Sequence, residues 1–305
     1  MRPTRPEAGV TLVELVVAMV VLAIVGSIVI YFIYPVRQAV DVVARAELTD
    51  VADNALQRIA REVRLALPNS VRVATAGGAV YLEFLPVVTA GRYRADGGGA
   101  SAGADCPDTG TITAPASDQL SFGIVDACFK SLGPVLNGTA ITTNDFVVLN
   151  NHGVGFPNQD AYQSGTTNVR GIVASAVEAG PPARQRIELD AGTFSAVEHD
   201  SPGKRFYVVR GNNSTLLPVT YACTASGTLE RRSGYPMTQV QAQDFTGATV
   251  ALLADGVSQC AFEYVANVGP QIGLLTLHLT LARPRSGGES ESVTLYQSVH
   301  VMNVP

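Results

Sequence analysis

The chain has 305 residues, of which 47% are hydrophobic and 15% charged, with a formal net charge of −5 at pH 7. That length can bury a core, and the scattered Lys and Arg beyond the first residues form no basic footprint, so nucleic acid is excluded as a partner. A membrane is indicated instead: Leu15 to Val36 is a run of 22 residues without a charged side chain, which as a helix at about 1.5 Å per residue spans roughly 30 Å of hydrocarbon.

In chain order, Met1 to Gly9 carries Arg2 and Arg5 on a short flank before the apolar run. The positive-inside rule therefore places the N-terminus in the cytoplasm and residues beyond about Val36 outside. One carboxylate, Glu14, sits a few residues into the apolar stretch. A buried carboxylate in lipid costs about 2.5–3.5 kcal/mol on insertion scales and is retained mainly where it has a use and a partner.

After Pro35 the pattern turns amphipathic. Val51, Ala52, Ala55, Leu56, Ile59, Val63 and Leu67 recur at steps of three and four, with Arg58, Arg61 and Arg64 on other faces. The spacing predicts a helix to Leu67, ended by Pro68, with a kink or short break near Tyr31 to Pro35 because proline removes a donor and clashes with the preceding turn. Arg58 and Glu62 stand at i,i+4.

From Val71 the period becomes two. "VRVATAGGAVYLEFLPVV" reads as a hairpin turning at Gly77-Gly78. Strands are expected over 119–125, 145–150, 171–177, 186–189, 205–210, 219–224, 259–265, 274–281 and 292–301, separated by long loops. In "GLLTLHLTLARP", Leu275, Leu277, Leu279 and Leu281 alternate with Thr276, His278 and Thr280, so one face is core. Val293, Leu295, Gln297, Val299 and Val301 repeat the device.

Cys106, Cys128, Cys223 and Cys260 all lie in the part expected outside and lack zinc spacing, which favours disulfides. Three pairings can be drawn. Cys106–Cys128 and Cys223–Cys260 are favoured because each closes a modest loop within one half of the domain.

No catalytic constellation emerges, so the chain is read as no enzyme. His152, His199, His278 and His300 occupy four separate segments, without HExxH spacing, and no GxSxG or phosphate loop is present. "NDFVVLNNHGVGFPNQDAYQSG" gathers oxygen-bearing side chains, but its only acids are Asp145 and Asp160. No cofactor is therefore expected, calcium being the one this segment would admit, and a turn-rich connection is the better reading.

One motif is specific: a basic leader ending in Gly9, then Val10-Thr11-Leu12-Val13-Glu14-Leu15 and a long apolar helix. It resembles the class III signal of type IV pilins and type II secretion pseudopilins, departing at Val10, where phenylalanine is usual, and at Val13, where isoleucine is usual. The resemblance implies an α+β, type IV pilin-like fold: leader 1–9, transmembrane and assembly helix 10–36, amphipathic helix 37–67 and β-rich periplasmic domain 68–305. It implies prepilin peptidase cutting after Gly9, N-methylation of Val10, and Glu14 pairing with an N-terminal amine of an adjacent subunit. The expected partners are that peptidase, major and other minor pilins, and the inner-membrane assembly machinery. The protein would sit in the inner membrane as a single-pass subunit and become extracellular in the pilus.

Four further blocks, "REVRLALPNSVRV", "SPGKRFYVVRG", "LLADGVSQCAFEY" and "SVHVMNVP", resemble the large minor pilin family of mannose-sensitive haemagglutinin (MSHA) pili and the related PilW and J-type pseudopilin groups. The expected function is a minor pilin acting in assembly initiation or at the tip. The alternatives are a J-type pseudopilin of type II secretion or an adhesin displayed on the fibre.

Overall fold

The computed structural model describes residues 9–95, 119–123, 126–136, 138–163, 165–179, 182–190, 192–194, 200–269, 271–284 and 290–305, with the backbone alone over 32–42 and at 95 and 139. One long helix, α1 (Leu12–Val63), precedes the strands. By contacts the chain divides into two units, Met1–Asp50 and Val51–Pro305.

Helix α1 passes through Pro35 as one helical run, so the expected break near Tyr31 to Pro35 is not formed. Proline costs the ladder one donor, while the hydrogen bonds on either side remain available to carry the helix through. The C-terminal end also differs from expectation. The helix stops at Val63, Arg64 and Leu65 turn, Ala66 bridges to Pro86, and the Leu67 N–H donates to the Leu85 carbonyl at 2.8 Å. Pairing with the sheet thus captures the residues that the apolar periodicity assigned to a last helical turn.

Within the second unit Ala52, Ala55, Leu56, Ile59, Ala60 and Val63 are all buried. Their three- and four-residue steps make one apolar stripe. On the helix's wetter side Glu62 accepts from Arg58 at 3.3 Å and from Arg231 at 2.9 Å. The first contact is the i,i+4 pair read from the sequence; the second ties the helix to a strand.

The strands are β1 (Arg72–Ala76), β2 (Ala79–Phe84), β3 (Val87–Arg92), β4 (Arg94–Ala95), β5 (Gln119–Leu120), β6 (Cys128–Lys130), β7 (Phe146–Leu149), β8 (Val169–Glu178), β9 (Arg184–Leu189), β10 (Arg205–Val209), β11 (Val219–Cys223), β12 (Leu229–Ser233), β13 (Thr249–Ala254), β14 (Val257–Gly269), β15 (Ile272–Pro284) and β16 (Ser290–Met302). They form a five-stranded sheet β1-β2-β11-β12-β13, a six-stranded sheet β3-β10-β7-β8-β9-β6, a three-stranded sheet β14-β15-β16 and a small parallel pair, β4-β5. Because β2 pairs with β11, the chain between them is an excursion that builds the six-stranded sheet.

The β1–β2 hairpin turns at Gly77 and Gly78 with φ of 58° and 76°. Two successive positive φ values define a type I′ turn, whose twist matches the flanking strands and which glycine enters without strain. Among the described residues of the strand expected over 119–125, only Gln119–Leu120 is strand, because Ser121 gives its N–H to the buried Asp126 carboxylate at 2.7 Å and leaves the ladder; 124 and 125 lie outside the described residues.

The six-stranded sheet is covered on both faces near its centre. Val147 and Leu149 of β7 pack with Phe129, Ile187 and Phe206, whereas Val148 packs with Leu67, Leu85 and Tyr162. In the three-stranded sheet, Leu275, Leu277, Leu279 and Leu281 are buried, as are Val293, Val299 and Val301. Cys223 of β11 and Cys260 of β14 form a disulfide, covalently joining the five- and three-stranded sheets. Cys128 is also disulfide-bonded, and its favoured partner, Cys106, lies outside the described residues.

Candidate assembly site

The N-terminal motif is built on the start of α1. Gly9 and Val10 precede the helix and are exposed, so the Gly9–Val10 peptide bond lies in non-helical, accessible chain. Met1 to Ala8, with Arg2 and Arg5, lie outside the described residues. Thr11 is the N-cap: its carbonyl accepts the first helical bond from the Leu15 N–H at 3.2 Å, and its Oγ1 accepts from the Glu14 N–H at 3.3 Å. This bond satisfies one of the donors that every helix N-terminus leaves unpaired.

Glu14 is thereby at the third helical position, in the first turn. There the positive end of the helix dipole favours a carboxylate, by about 0.3–1 kcal/mol at exposed sites. The capping role of Thr11 was missed from sequence, although the Thr-x-x-Glu spacing of a capping box was its signal. Beyond Glu14 the helix is an apolar rod. Leu12–Tyr31 is long and apolar enough to cross a membrane, and none of it is buried within the chain. Leu12 is 81% exposed and Ile30 71%, so this surface is left for lipid or for other helices.

The four internal blocks, far apart in sequence, meet at the segment Asn303 to Pro305. The Asn69 N–H donates to Asn303 Oδ1 at 3.2 Å, and Asn303 Nδ2 donates to the Tyr264 hydroxyl at 2.9 Å. Beside it the Tyr207 hydroxyl donates to the Val304 carbonyl, and Ser201 Oγ to the Pro305 carbonyl, both at 2.9 Å. Gly273 lets this cluster close: a Cβ there would lie 2.6 Å from the Tyr264 hydroxyl and 2.9 Å from Asn303 Nδ2. These residues do structural work and are remote in sequence from the N-terminal motif.

In the oxygen-rich segment the acids are already engaged. Asp145, fully buried, accepts from the Thr142 N–H at 2.9 Å and from Arg210 at 3.2 Å, and Asp160 accepts from the Tyr162 N–H at 3.0 Å. Among the described residues no group of three or more His, Cys, Asp or Glu is placed to hold a metal ion. The His152 ring packs tilted against Phe156, His278 stacks on Tyr296, His300 is exposed on β16, and His199 lies outside the described residues.

A polar centre that sequence reading did not find surrounds Glu83, which is 0% exposed. It accepts from Arg72 Nε at 2.8 Å, the Tyr235 hydroxyl at 3.0 Å and Thr220 Oγ1 at 3.3 Å. Burial, then the charge of Glu83, pushes the Tyr235 phenol far up. Arg72 continues to the Thr238 and Gln239 carbonyls at 2.8 and 2.7 Å and lies over the Tyr162 ring. Only the odd placement of Glu83 within "AVYLEF" hinted at it.

Residues 4–30 match the family model described as the prokaryotic N-terminal methylation motif. The match supports the type IV pilin and pseudopilin class, processed by prepilin peptidase and anchored by a single apolar helix. No curated protein and no solved structure matches the chain.

Proposed function

We propose that the chain is a minor pilin of an MSHA-like type IV pilus, a structural subunit that is cut after Gly9, N-methylated on Val10 and packed through α1 into the fibre core. The observation that carries this reading is the methylation motif at residues 4–30 lying on an exposed bond followed by an unburied apolar helix. Cutting frees an α-amine on Val10, and in the fibre Glu14 pairs with such an amine on a neighbouring helix. In the bilayer the carboxylate is costly; the paired amine removes that cost as subunits assemble. The β-rich domain, periplasmic before assembly, is then carried outward at the tip or in the initiating complex.

Intact mass measurement of the protein from membranes of a piliated strain tests the processing step. The expected species lacks Met1 to Gly9 and carries one methyl group on Val10. An uncut chain in cells with active prepilin peptidase would overturn the proposal. Co-purification with sheared pili, as opposed to a type II secretion complex, distinguishes the pilus from the pseudopilin fibre.

A further inference from the structure

A cleft of about 410 Å³ opens beside the first residues of β3, against β11 and β12. Pro86, Val88, Leu217 and Pro218 supply apolar walls, and among the described residues the ionisable ones lining it are Arg210 and Arg231. Both guanidinium groups are anchored from behind. Arg210 Nη1 donates to both carboxylate oxygens of the buried Asp145 at 3.2 Å, and Arg231 Nε donates to Glu62 at 2.9 Å and its Nη1 to Ser233 Oγ at 3.1 Å.

Glu62 is in turn paired with Arg58, so among the described ion pairs Arg58 and Arg231 share one carboxylate while Arg210 has Asp145. Arg210 is the open member of the pair: its side chain is 42% exposed, and among the described residues its Nε and Nη2 have no acceptor. The adjacent strand edge is irregular as well. Val209 pairs with Val87 and Val208 with Thr89, so the ladder with β10 skips Val88. A bulge leaves one residue's backbone groups outside the ladder, next to an apolar slot with a fixed guanidinium edge.

We propose that this cleft is a docking slot for an extended acidic peptide, a carboxylate flanked by apolar residues, presented by a neighbouring subunit. The apolar walls take the flanking side chains, Arg210 takes the carboxylate with two N–H donors in the fork geometry suited to it, and the bulged edge at Val88 offers backbone hydrogen bonds. The neighbouring subunit as carrier rests on the fibre reading above; the recognition chemistry does not.

The test uses the full chain in detergent micelles, titrated with acetyl-Val-Glu-Val-amide and followed by methyl NMR of valine and leucine. Saturable shifts at Val87, Val88 and Leu217 are expected, with acetyl-Val-Gln-Val-amide at least about tenfold weaker, the loss of one charge-assisted bidentate contact. Arg210→Gln should weaken the Glu peptide by a similar factor. Ser233→Glu, which places the chain's own carboxylate in the slot without uncovering Asp145, should abolish binding. Equal affinity for the two peptides, no saturable shift, or full binding by Ser233→Glu would overturn the proposal. So would butyrate binding as tightly as the peptide, since the slot would then take small carboxylates. Because binding is read without assembly, its failure leaves the processing and piliation tests of the fibre reading untouched.

Discussion

At the scale of single residues, Glu14 and Glu83 are carboxylates set in apolar stretches of sequence for different reasons. Glu83 is permanently satisfied by Arg72, Tyr235 and Thr220. Glu83→Ala would strand the Arg72 guanidinium and is expected to cost about 3–5 kcal/mol in urea unfolding; a loss under about 1 kcal/mol would show the network to be dispensable. Glu14 has a local stabiliser in the helix start but no side-chain partner among the described contacts of the chain. The capping and assembly roles separate by substitution. Thr11→Ala removes the cap, at about 1 kcal/mol, while Glu14→Gln keeps a capping-box side chain and removes the charge. Counts of surface pili should fall far more with Glu14→Gln than with Thr11→Ala. Equal falls would assign Glu14 to helix initiation alone.

At the scale of elements, the amphipathic end of α1 is the best guide to packing. Ile59 is fully buried on its apolar stripe, and Ile59→Ala should cost about 2–5 kcal/mol, measured as a shift in the denaturant midpoint; an exposed-site cost of a few tenths would contradict that packing. The same periodicity made this helix legible from sequence, and strict alternation made β15 and β16 legible. Strands β12 and β13 were not. "LERRS" shows no apolar alternation because its arginines are used laterally, Arg231 on Glu62 and Arg232 over the Phe245 ring. "TVALLA" leaves Val250 and Leu252 exposed, blurring its alternation. At the candidate site the Gly9-to-Leu15 motif was fully visible because it is local. The cluster at Asn303 is made of contacts up to 234 residues apart, and the Arg210 cleft depends on strand order; neither has a local signature.

At the scale of the whole molecule, stability should respond to acid through His152. Its ring is partly buried against Phe156, and burial lowers its pKa below the usual 6.5. The unfolded chain therefore binds a proton at pH values where the folded chain does not, so this group's contribution is intact above about pH 6.5 and is lost as pH falls towards the depressed folded value. Chemical denaturation across that window should show less decline in His152→Phe than in the parent; identical slopes would remove His152 as the cause. Replacing Cys223 and Cys260 together by serine should cost about 2–4 kcal/mol, since their bond closes a 37-residue separation between two sheets.

If the β domain is exported, as the proposed function requires, that bond also bears on how the chain matures. Cys223 and Cys260 are consecutive cysteines, so a thiol oxidase that joins cysteines in their order of emergence reaches the native pair directly, provided the two earlier thiols have already been consumed. Maturation of the β domain should then depend on the oxidase and be nearly indifferent to a disulfide isomerase. Pulse-labelled chain in isomerase-deficient cells should reach the protease-resistant form at the parental rate.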